Sequence, residues 1–417
     1  MATGADQPSG REPGRVAGHA PLPRYRQAAV PAVLAHGFRP FFLLAGIWAP
    51  VALAVSVATI RGWITLPTAF DPIAWHYHEM LFGFVAATVT GFLLTAIPNW
   101  TGRLPLQGGP LLALAGLWLA GRIAVAASAL VGMWPAAVVD LAFLAAVAAV
   151  ALREVVAGKN WRNLPVVSAV LLFLACNLLS HGAVAGLVDD GLARRAAIAV
   201  IIALITLIGG RIIPSFSRNW LVKRDPQALP ASFGVVDRVS LAATALALAW
   251  WAAAPVTAAA AALAGLAAAL NAVRLARWRG WRTRAEPLLW VLHVGYLWIP
   301  IGLALLAASF VVEGLSQTSA IHALTAGAMG TMTMAVMSRA TLGHTGRELR
   351  AGPGLSAAYV LVTVAALTRL IASAWTDAYM PLVITSASAW IVAFALYLAV
   401  CGPMLARAQP SGAADQK

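Results

Sequence analysis

Residues 74–97 read AWHYHEMLFGFVAATVTGFLLTAI, and this stretch indicates what kind of fold the chain adopts. A helix of about 20 mostly apolar residues spans the hydrocarbon core of a bilayer. After Glu79 the stretch has no charged side chain, whereas His76, His78 and Glu79 lie close together near its start. We therefore predict a membrane-spanning helix that carries ionisable groups at one end.

The composition of the chain extends this interpretation to the whole protein. Of the 417 residues, 61% are hydrophobic and 11% are charged, whereas soluble proteins carry about 25% charged residues. This excludes an ordinary soluble enzyme, a disordered chain and a coiled coil, and it predicts an all-α, polytopic membrane protein. Cys176 and Cys401 lie in apolar segments, so neither a disulfide scaffold nor a cysteine metal cage is expected.

Apolar segments of spanning length recur along the chain, and we count twelve. They cover residues 38–60, 74–97, 110–128, 134–152, 165–187, 195–213, 236–254, 256–274, 287–311, 319–338, 355–373 and 380–405. We predict one transmembrane domain over residues 36–405, between a disordered cytoplasmic tail (1–35) and a short C-terminal tail (406–417). The first tail has no apolar segment, so it does not resemble a cleaved signal peptide.

The positive charges predict how the spans are oriented. With both ends in the cytoplasm, the inner segments contain 24 Lys and Arg residues, and the outer loops contain only Arg61, Arg194 and Arg195. Cytoplasmic loops of membrane proteins are enriched in Lys and Arg, so we place both termini inside. The formal net charge of +14 is then explained by the bilayer as partner, and not by nucleic acid.

Three of the predicted helices end in similar sequences. Helix 2 ends in IPNWTGR (97–103), helix 6 in IPSFSR (213–218) and helix 10 in MSR (337–339). These helices are four apart, which suits a threefold repeat of four helices, although small and apolar residues align easily in Ala-rich spans.

The histidines fall into two layers, apart from His19 in the N-terminal tail. Ionisable side chains inside a membrane are costly and usually serve a function in the protein interior. The outer layer lies on helices 2, 5 and 10 and contains His76, His78, Glu79, His181 and His322. Neutral imidazole binds haem iron, copper and zinc, so this layer predicts a haem or metal site. The alternative is that these residues are tolerated in the wet interface.

Helix geometry limits how the outer histidines can act. Residues two apart point about 200° apart on a helix, so His76 and His78 cannot face one site from regular backbone. Either they serve different sites, or His76 lies on irregular backbone after Pro72. His76 and Glu79 share a face. Within other spans, Arg122 and Arg369 are expected to reach the interface or to pair with a partner such as Asp140.

The inner layer contains three histidines and three arginines: His36, Arg39, Arg211, His293, Arg339 and His344. A functional interpretation is a second cofactor, or arginines that pair with anionic groups such as haem propionates. The simpler interpretation is that these positions face cytoplasmic water.

Several of these segments resemble the NnrS family of bacterial inner-membrane proteins. The matching stretches are HGFRPFF (36–42), WHYHEMLFG (75–83), IPNWTG (97–102), NLLSH (177–181), GRIIPSF (210–216) and the run from His322 to MSRATLGHTG (337–346). The resemblance is vaguer in the Ala-rich helices 3, 4, 7, 8, 11 and 12. It implies a protein with haem and copper that is linked to nitric oxide metabolism and to resistance to nitrosative stress.

Our first hypothesis is a haem protein that binds or turns over nitric oxide, with an unidentified electron donor if it is a nitric oxide reductase. We expect His78 and His322 to be the haem pair and Glu79 to handle protons near the outer surface. A metal such as copper would be bound by His76, His78, His181 and His322. The inner residues His36, Arg39, Arg211, His293, Arg339 and His344 are the second choice for cofactor binding. The chain lacks a Cys-x-x-Cys-His motif, which favours haem b over haem c.

The alternatives come from other functional classes. Twelve spans with both ends inside also suit a secondary transporter of a metal ion or a small anion. Transporter sites usually lie near the midplane, however, whereas the histidines here lie towards the two faces. A third interpretation is a nitric oxide sensor or a metal-trafficking partner without catalysis.

The orientation is testable with reporter fusions. Alkaline phosphatase requires disulfides, which form outside the cytoplasm. We expect activity from a fusion in the predicted outer loop between helices 5 and 6, and none from a fusion after Lys417. Activity at the C-terminus would contradict the predicted orientation.

Overall fold

A computed structural model describes residues 30–408, and its regular elements are all helices. Residues 1–29 of the predicted disordered tail, with His19, and residues 409–417 of the predicted C-terminal tail lie outside the described residues. Residues 30–35 contain a short 3₁₀ turn at Ala32–Leu34.

The twelve predicted spans are confirmed in the described part of the chain. In order they are α1 Phe38–Ile60, α2 Pro72–Thr101, α3 Gly109–Ala126, α4 Met133–Ala157, α5 Trp161–Val184, α6 Asp190–Leu221, α7 Val235–Ala253, α8 Ala258–Arg277, α9 Pro287–Val311, α10 Gln317–His344, α11 Pro353–Ala374 and α12 Tyr379–Ala406. Helices α2 and α6 extend beyond the predicted apolar stretches. Each begins at an acidic N-cap, where Asp71 accepts from the amides of Ile73 and Ala74, and Asp189 from that of Leu192.

Two helices form the centre of the bundle. In the most apolar windows of α2 and α10, 72% of the residues are buried, against 33–50% in the other helices. Most helices pack against their neighbours in sequence, and α12 packs against α1, which closes the bundle. Ionisable groups on α2 and α10 are therefore enclosed by protein and not by lipid.

The two central helices share an unusual backbone. Each starts with a short α-helical segment, continues as a π-helix over Glu79–Val85 or Ala323–Met329, and returns to α-helix. π-Helical turns are rare and often occur at functional sites. Helix α6 is α-helical throughout its described length, so the π-helical segment is shared by α2 and α10 and not by α6. The threefold repeat stays a prediction.

The second half of the bundle contains a buried ion pair that the sequence interpretation missed. Arg274, counted above among the inner positive charges, is fully buried at the end of α8. Its Nε donates to Asp237 at 2.9 Å, and its Nη1 donates to the Thr206 carbonyl at 3.0 Å and the Tyr296 hydroxyl at 2.9 Å. This guanidinium therefore joins α6, α7, α8 and α9.

We expect Arg274→Ala to destabilise the protein strongly, because Asp237 would remain buried without a counter-charge. Breaking one side of a buried pair costs about 3–5 kcal/mol. The measurement is thermal unfolding in detergent, with the exposed Arg218→Ala as control. The double variant Arg274→Met, Asp237→Asn should lose less stability, since it removes both charges. An unfolding midpoint equal to that of the wild type for Arg274→Ala would show that the ion pair does not hold these helices.

Candidate functional site

The outer histidines form two separate groups in the structure. Residues Pro72–His78 form regular α-helix, so the side chains of His76 and His78 leave α2 on different sides. His76 and His322 line one cavity, whereas His78 and His181 lie in a buried cluster with carboxylates. Helix geometry left two alternatives for His76 and His78, different sites or irregular backbone. The structure places them at different sites.

The cavity lies at the end of the bundle opposite to both termini, and we call it the distal cavity. Its volume is about 540 Å³, within the range of about 300–1,000 Å³ typical of ligand and cofactor sites. It is enclosed by α1, α2, α6, α10, α11 and α12. Its walls are largely apolar and include Leu53, Met80, Phe84, Met329, Val383 and Trp390.

Each of the two imidazoles of the distal cavity has a ring nitrogen that is available to bind a metal. The Nδ1 of His322 lies 2.8 Å from the Thr318 carbonyl. A carbonyl only accepts hydrogen bonds, so Nδ1 carries the proton and Nε2 keeps a lone pair. The Nδ1 of His76 is buried without a hydrogen-bond partner among the described residues. Both rings are therefore suited to bind a metal centre in the cavity.

Three arginines line the same cavity: Arg61, Arg194 and Arg369. Arg194 pairs with Asp190 at 3.1 Å. Within the described residues, Arg61 and Arg369 have no salt bridge; Arg61 lies over the Trp63 ring and Arg369 donates to Ser373 at 3.0 Å. The distal cavity thus has a surplus of positive charge, which fits a ligand with anionic groups.

The distal cavity has groups that could hold each part of a haem. Haem combines a flat apolar ring, an iron that accepts imidazole, and two carboxylates. The apolar walls, the free imidazole nitrogens and the unpaired arginines match these three parts. The sequence interpretation placed the propionate-binding arginines on the inner side. The sequence could have indicated the arginines of the distal cavity, because Arg61 and Arg194 are two of only three arginines in the predicted outer loops.

The second group, which we call the carboxylate cluster, consists of side chains from α2, α3, α4 and α5. Its members are at most 1% exposed: His78, Glu79, Arg122, Asp140, Asn177 and His181. Arg122 donates to both oxygens of Glu79 at 2.9 Å and to Asp140 Oδ1. Of the two alternatives for Arg122, pairing with Asp140 is the one observed, and Glu79 is a second partner that was not predicted.

One oxygen of Asp140 is the centre of the carboxylate cluster. Its Oδ2 lies 3.2 Å from His78 Nε2 and 3.0 Å from His181 Nε2, and it accepts from Asn177 at 2.8 Å. The other ring nitrogen of His78 lies 3.4 Å from Glu79. Two carboxylates and one guanidinium leave this buried cluster with one uncompensated negative charge when both imidazoles are neutral.

These contacts change two of the outer-layer interpretations. His78 and His322 do not share a site, because the ring nitrogens of His78 face Glu79 and Asp140; His76 is the histidine that shares the distal cavity with His322. Glu79, which was expected to handle protons near the outer surface, is fully buried and ion-paired with Arg122. Its role in proton transfer remains a prediction.

The inner residues form several groups of contacts: His36 lies near Arg39 and His344, whereas His293 contacts Ser217 and Arg339 contacts Phe216. Arg39 donates to the carbonyls of Met404, Leu405 and Arg407 at 2.7–3.1 Å, which places a cation at the C-terminus of α12, where the helix dipole favours it.

The other inner residues are placed as follows. His293 Nε2 lies 2.9 Å from Ser217 Oγ, Arg339 lies over the Phe216 ring, Arg211 is exposed, and the rings of His36 and His344 each contact Phe38. The structure does not gather these six residues around a single ligand, and their cofactor role stays a prediction.

Comparison with known proteins gives one clear result. A family model described as "NnrS protein" matches residues 32–409, nearly the whole chain. The matched range includes all twelve helices, the distal cavity and the carboxylate cluster. A search of curated proteins found no match.

His36, which precedes α1, allows a test by pH. Burial, together with the nearby Arg39 and His344, lowers its pKa from 6.5 to about 4. The unfolded chain therefore binds this proton more tightly than the folded protein. The contribution of neutral His36 to stability is complete above pH 6.5 and is lost as the pH falls towards 4.

We expect the unfolding midpoint of His36→Gln to fall less steeply than that of the wild type between pH 6.5 and pH 4. The measurement is thermal unfolding in detergent at a series of pH values. Above pH 6.5 the difference between the two proteins should be constant. Parallel curves over the whole range would contradict the lowered pKa.

Proposed function

The chain belongs to the NnrS family and is a multi-pass membrane protein linked to nitric oxide; from this premise we propose that it holds haem b in the distal cavity and binds nitric oxide there. We propose the bacterial inner membrane as its location and protection against nitrosative stress as its role. The observation that carries the proposal is the convergence of His76, His322 and three arginines on one apolar cavity of about 540 Å³.

The cavity residues have distinct roles in this proposal. His322 would hold the iron through Nε2, and the Thr318 carbonyl orients its ring. His76 is the second imidazole at the cavity. Arg61 and Arg369, which have no salt bridge among the described residues, would pair with the propionates, and Phe84 and Trp390 would provide apolar surface for the ring. The haem, when bound, supplies an iron that binds diatomic ligands and exchanges electrons.

The surroundings of the cavity suit a small neutral ligand. Nitric oxide is uncharged and partitions into apolar media, so neither the bilayer nor the apolar walls oppose its entry. A reductase would also need protons. Tyr77 lines the cavity and donates to Asp190 at 2.6 Å, and the Asp190 side chain is 47% exposed. These two residues connect the cavity to the aqueous surface.

The first test is the optical spectrum of protein purified in detergent from haem-replete cells. We expect a Soret band, about one iron per protein chain and a pyridine haemochrome of the b type. His322→Ala and His76→Ala should each shift or abolish the Soret band, because they remove the imidazoles of the cavity. His181→Gln, a histidine substitution in the carboxylate cluster, is the matched control and should keep the spectrum.

Two outcomes would redirect the proposal. A folded sample without a Soret band or iron would exclude haem and leave the transporter as the alternative. Unchanged spectra in both cavity variants would exclude these histidines as ligands. If haem is present, added nitric oxide should shift the Soret band, and steady nitric oxide consumption with a reductant would distinguish a reductase from a sensor.

A further inference from the structure

We propose that His78, Asp140 and His181 bind a first-row transition-metal ion inside the carboxylate cluster, at a site separate from the distal cavity. Each residue offers one donor atom, and the three atoms lie within 4.8 Å of one another. All three side chains are at most 1% exposed. The site would join α2, α4 and α5.

The geometry is that of ligands converging on a point. The Nε2 atoms of both histidines approach the same oxygen of Asp140, at 3.2 and 3.0 Å. Their rings are not stacked, since the interplanar angle is 71° and the centroids are 5.2 Å apart. Ligand atoms that each lie about 2.0–2.2 Å from an ion are themselves roughly 3 Å apart. The two nitrogen-to-oxygen distances therefore suit a shared ion, and all three ligand atoms lie within 4.8 Å of one another.

The net charge of the carboxylate cluster also favours a bound metal ion. Among the described residues, Arg122 is the arginine or lysine that pairs with Glu79 and Asp140, so one negative charge is left over when both imidazoles are neutral. Uncompensated charge is costly in the membrane interior. A bound cation supplies the missing positive charge at Asp140.

The residues around the three ligands match the usual surroundings of a metal. Ligating histidines generally direct their other ring nitrogen to a carboxylate or carbonyl, and His78 Nδ1 lies 3.4 Å from Glu79 Oε1. Asn177 and Arg122 hold the two oxygens of Asp140 from outside. His181 Nδ1 is the exception, because it has no partner among the described residues.

The ligand set indicates the class of metal. Two imidazoles and a carboxylate, without sulfur, suit zinc, copper or iron(II) and do not suit a hard ion such as magnesium. His78, Asp140 and His181 do not line the distal cavity. The site therefore stands whether or not that cavity holds haem.

The test measures metal content and haem content on the same samples. Protein is purified from cells grown with added zinc or copper, dialysed against a weak chelator and analysed for bound metal per chain. We expect about one ion per wild-type chain. His181→Gln keeps a polar side chain at Asp140 but lacks the imidazole donor, and it should lose at least tenfold in bound metal while keeping its Soret band. His322→Ala should do the opposite.

A second measurement does not depend on the variants. In copper-loaded wild-type protein, electron paramagnetic resonance should show coupling to two nitrogen nuclei. The absence of nitrogen coupling would overturn the proposal even if His181→Gln fails to fold. Wild-type protein with far less than one ion per chain would also overturn it and would mean that a proton balances the cluster. Metal retained fully by His181→Gln would show that the ion is bound elsewhere.

Discussion

The guanidinium of Arg122 fixes the relative positions of α2, α3 and α4. It contacts both Glu79 and Asp140 in a cluster whose six side chains are each at most 1% exposed. Without water to solvate them, these charges must satisfy one another, so the helices that carry them cannot shift independently. Asp140, held in this way, then orients the rings of His78 and His181. The Arg274 ion pair has the same effect between α6 and α9.

The position of His78 determines what the rest of α2 can do. Because His78 faces Asp140, His76 leaves the regular first segment of α2 in another direction, towards α10 and α11. One short helical segment therefore serves two sites. The π-helical turn that follows recurs in α10 directly after His322. The two histidines of the distal cavity thus come from the two central helices, which share one backbone pattern.

The sequence predicted the features that depend on local composition and on depth. The twelve spans followed from length and apolarity, and a pairing of Arg122 with a partner such as Asp140 was one of the two alternatives that the cost of burying charge gave. Depth alone does not give the rotation of a helix about its axis, and so it could not show that His322 meets His76 and not His78. Arg61 and Arg194 lie at helix ends that are far apart in sequence. The packing of the helices in the bundle brings both side chains to the distal cavity. Arg274 was counted with the loop charges because α8 ends only three residues later.

The distal cavity and the carboxylate cluster carry net charges of opposite sign. This argues against a purely structural role for either. In the distal cavity, Arg61 and Arg369 have no salt bridge among the described residues, whereas the carboxylate cluster has two carboxylates for one guanidinium. If these charges served only to stabilise the fold, direct pairing between them would remove both imbalances. They lie instead on different sides of α2, where each remains available to a ligand of opposite sign. A transporter with a single site near the midplane would not need this separation, whereas a protein that holds an anionic cofactor beside a metal ion would.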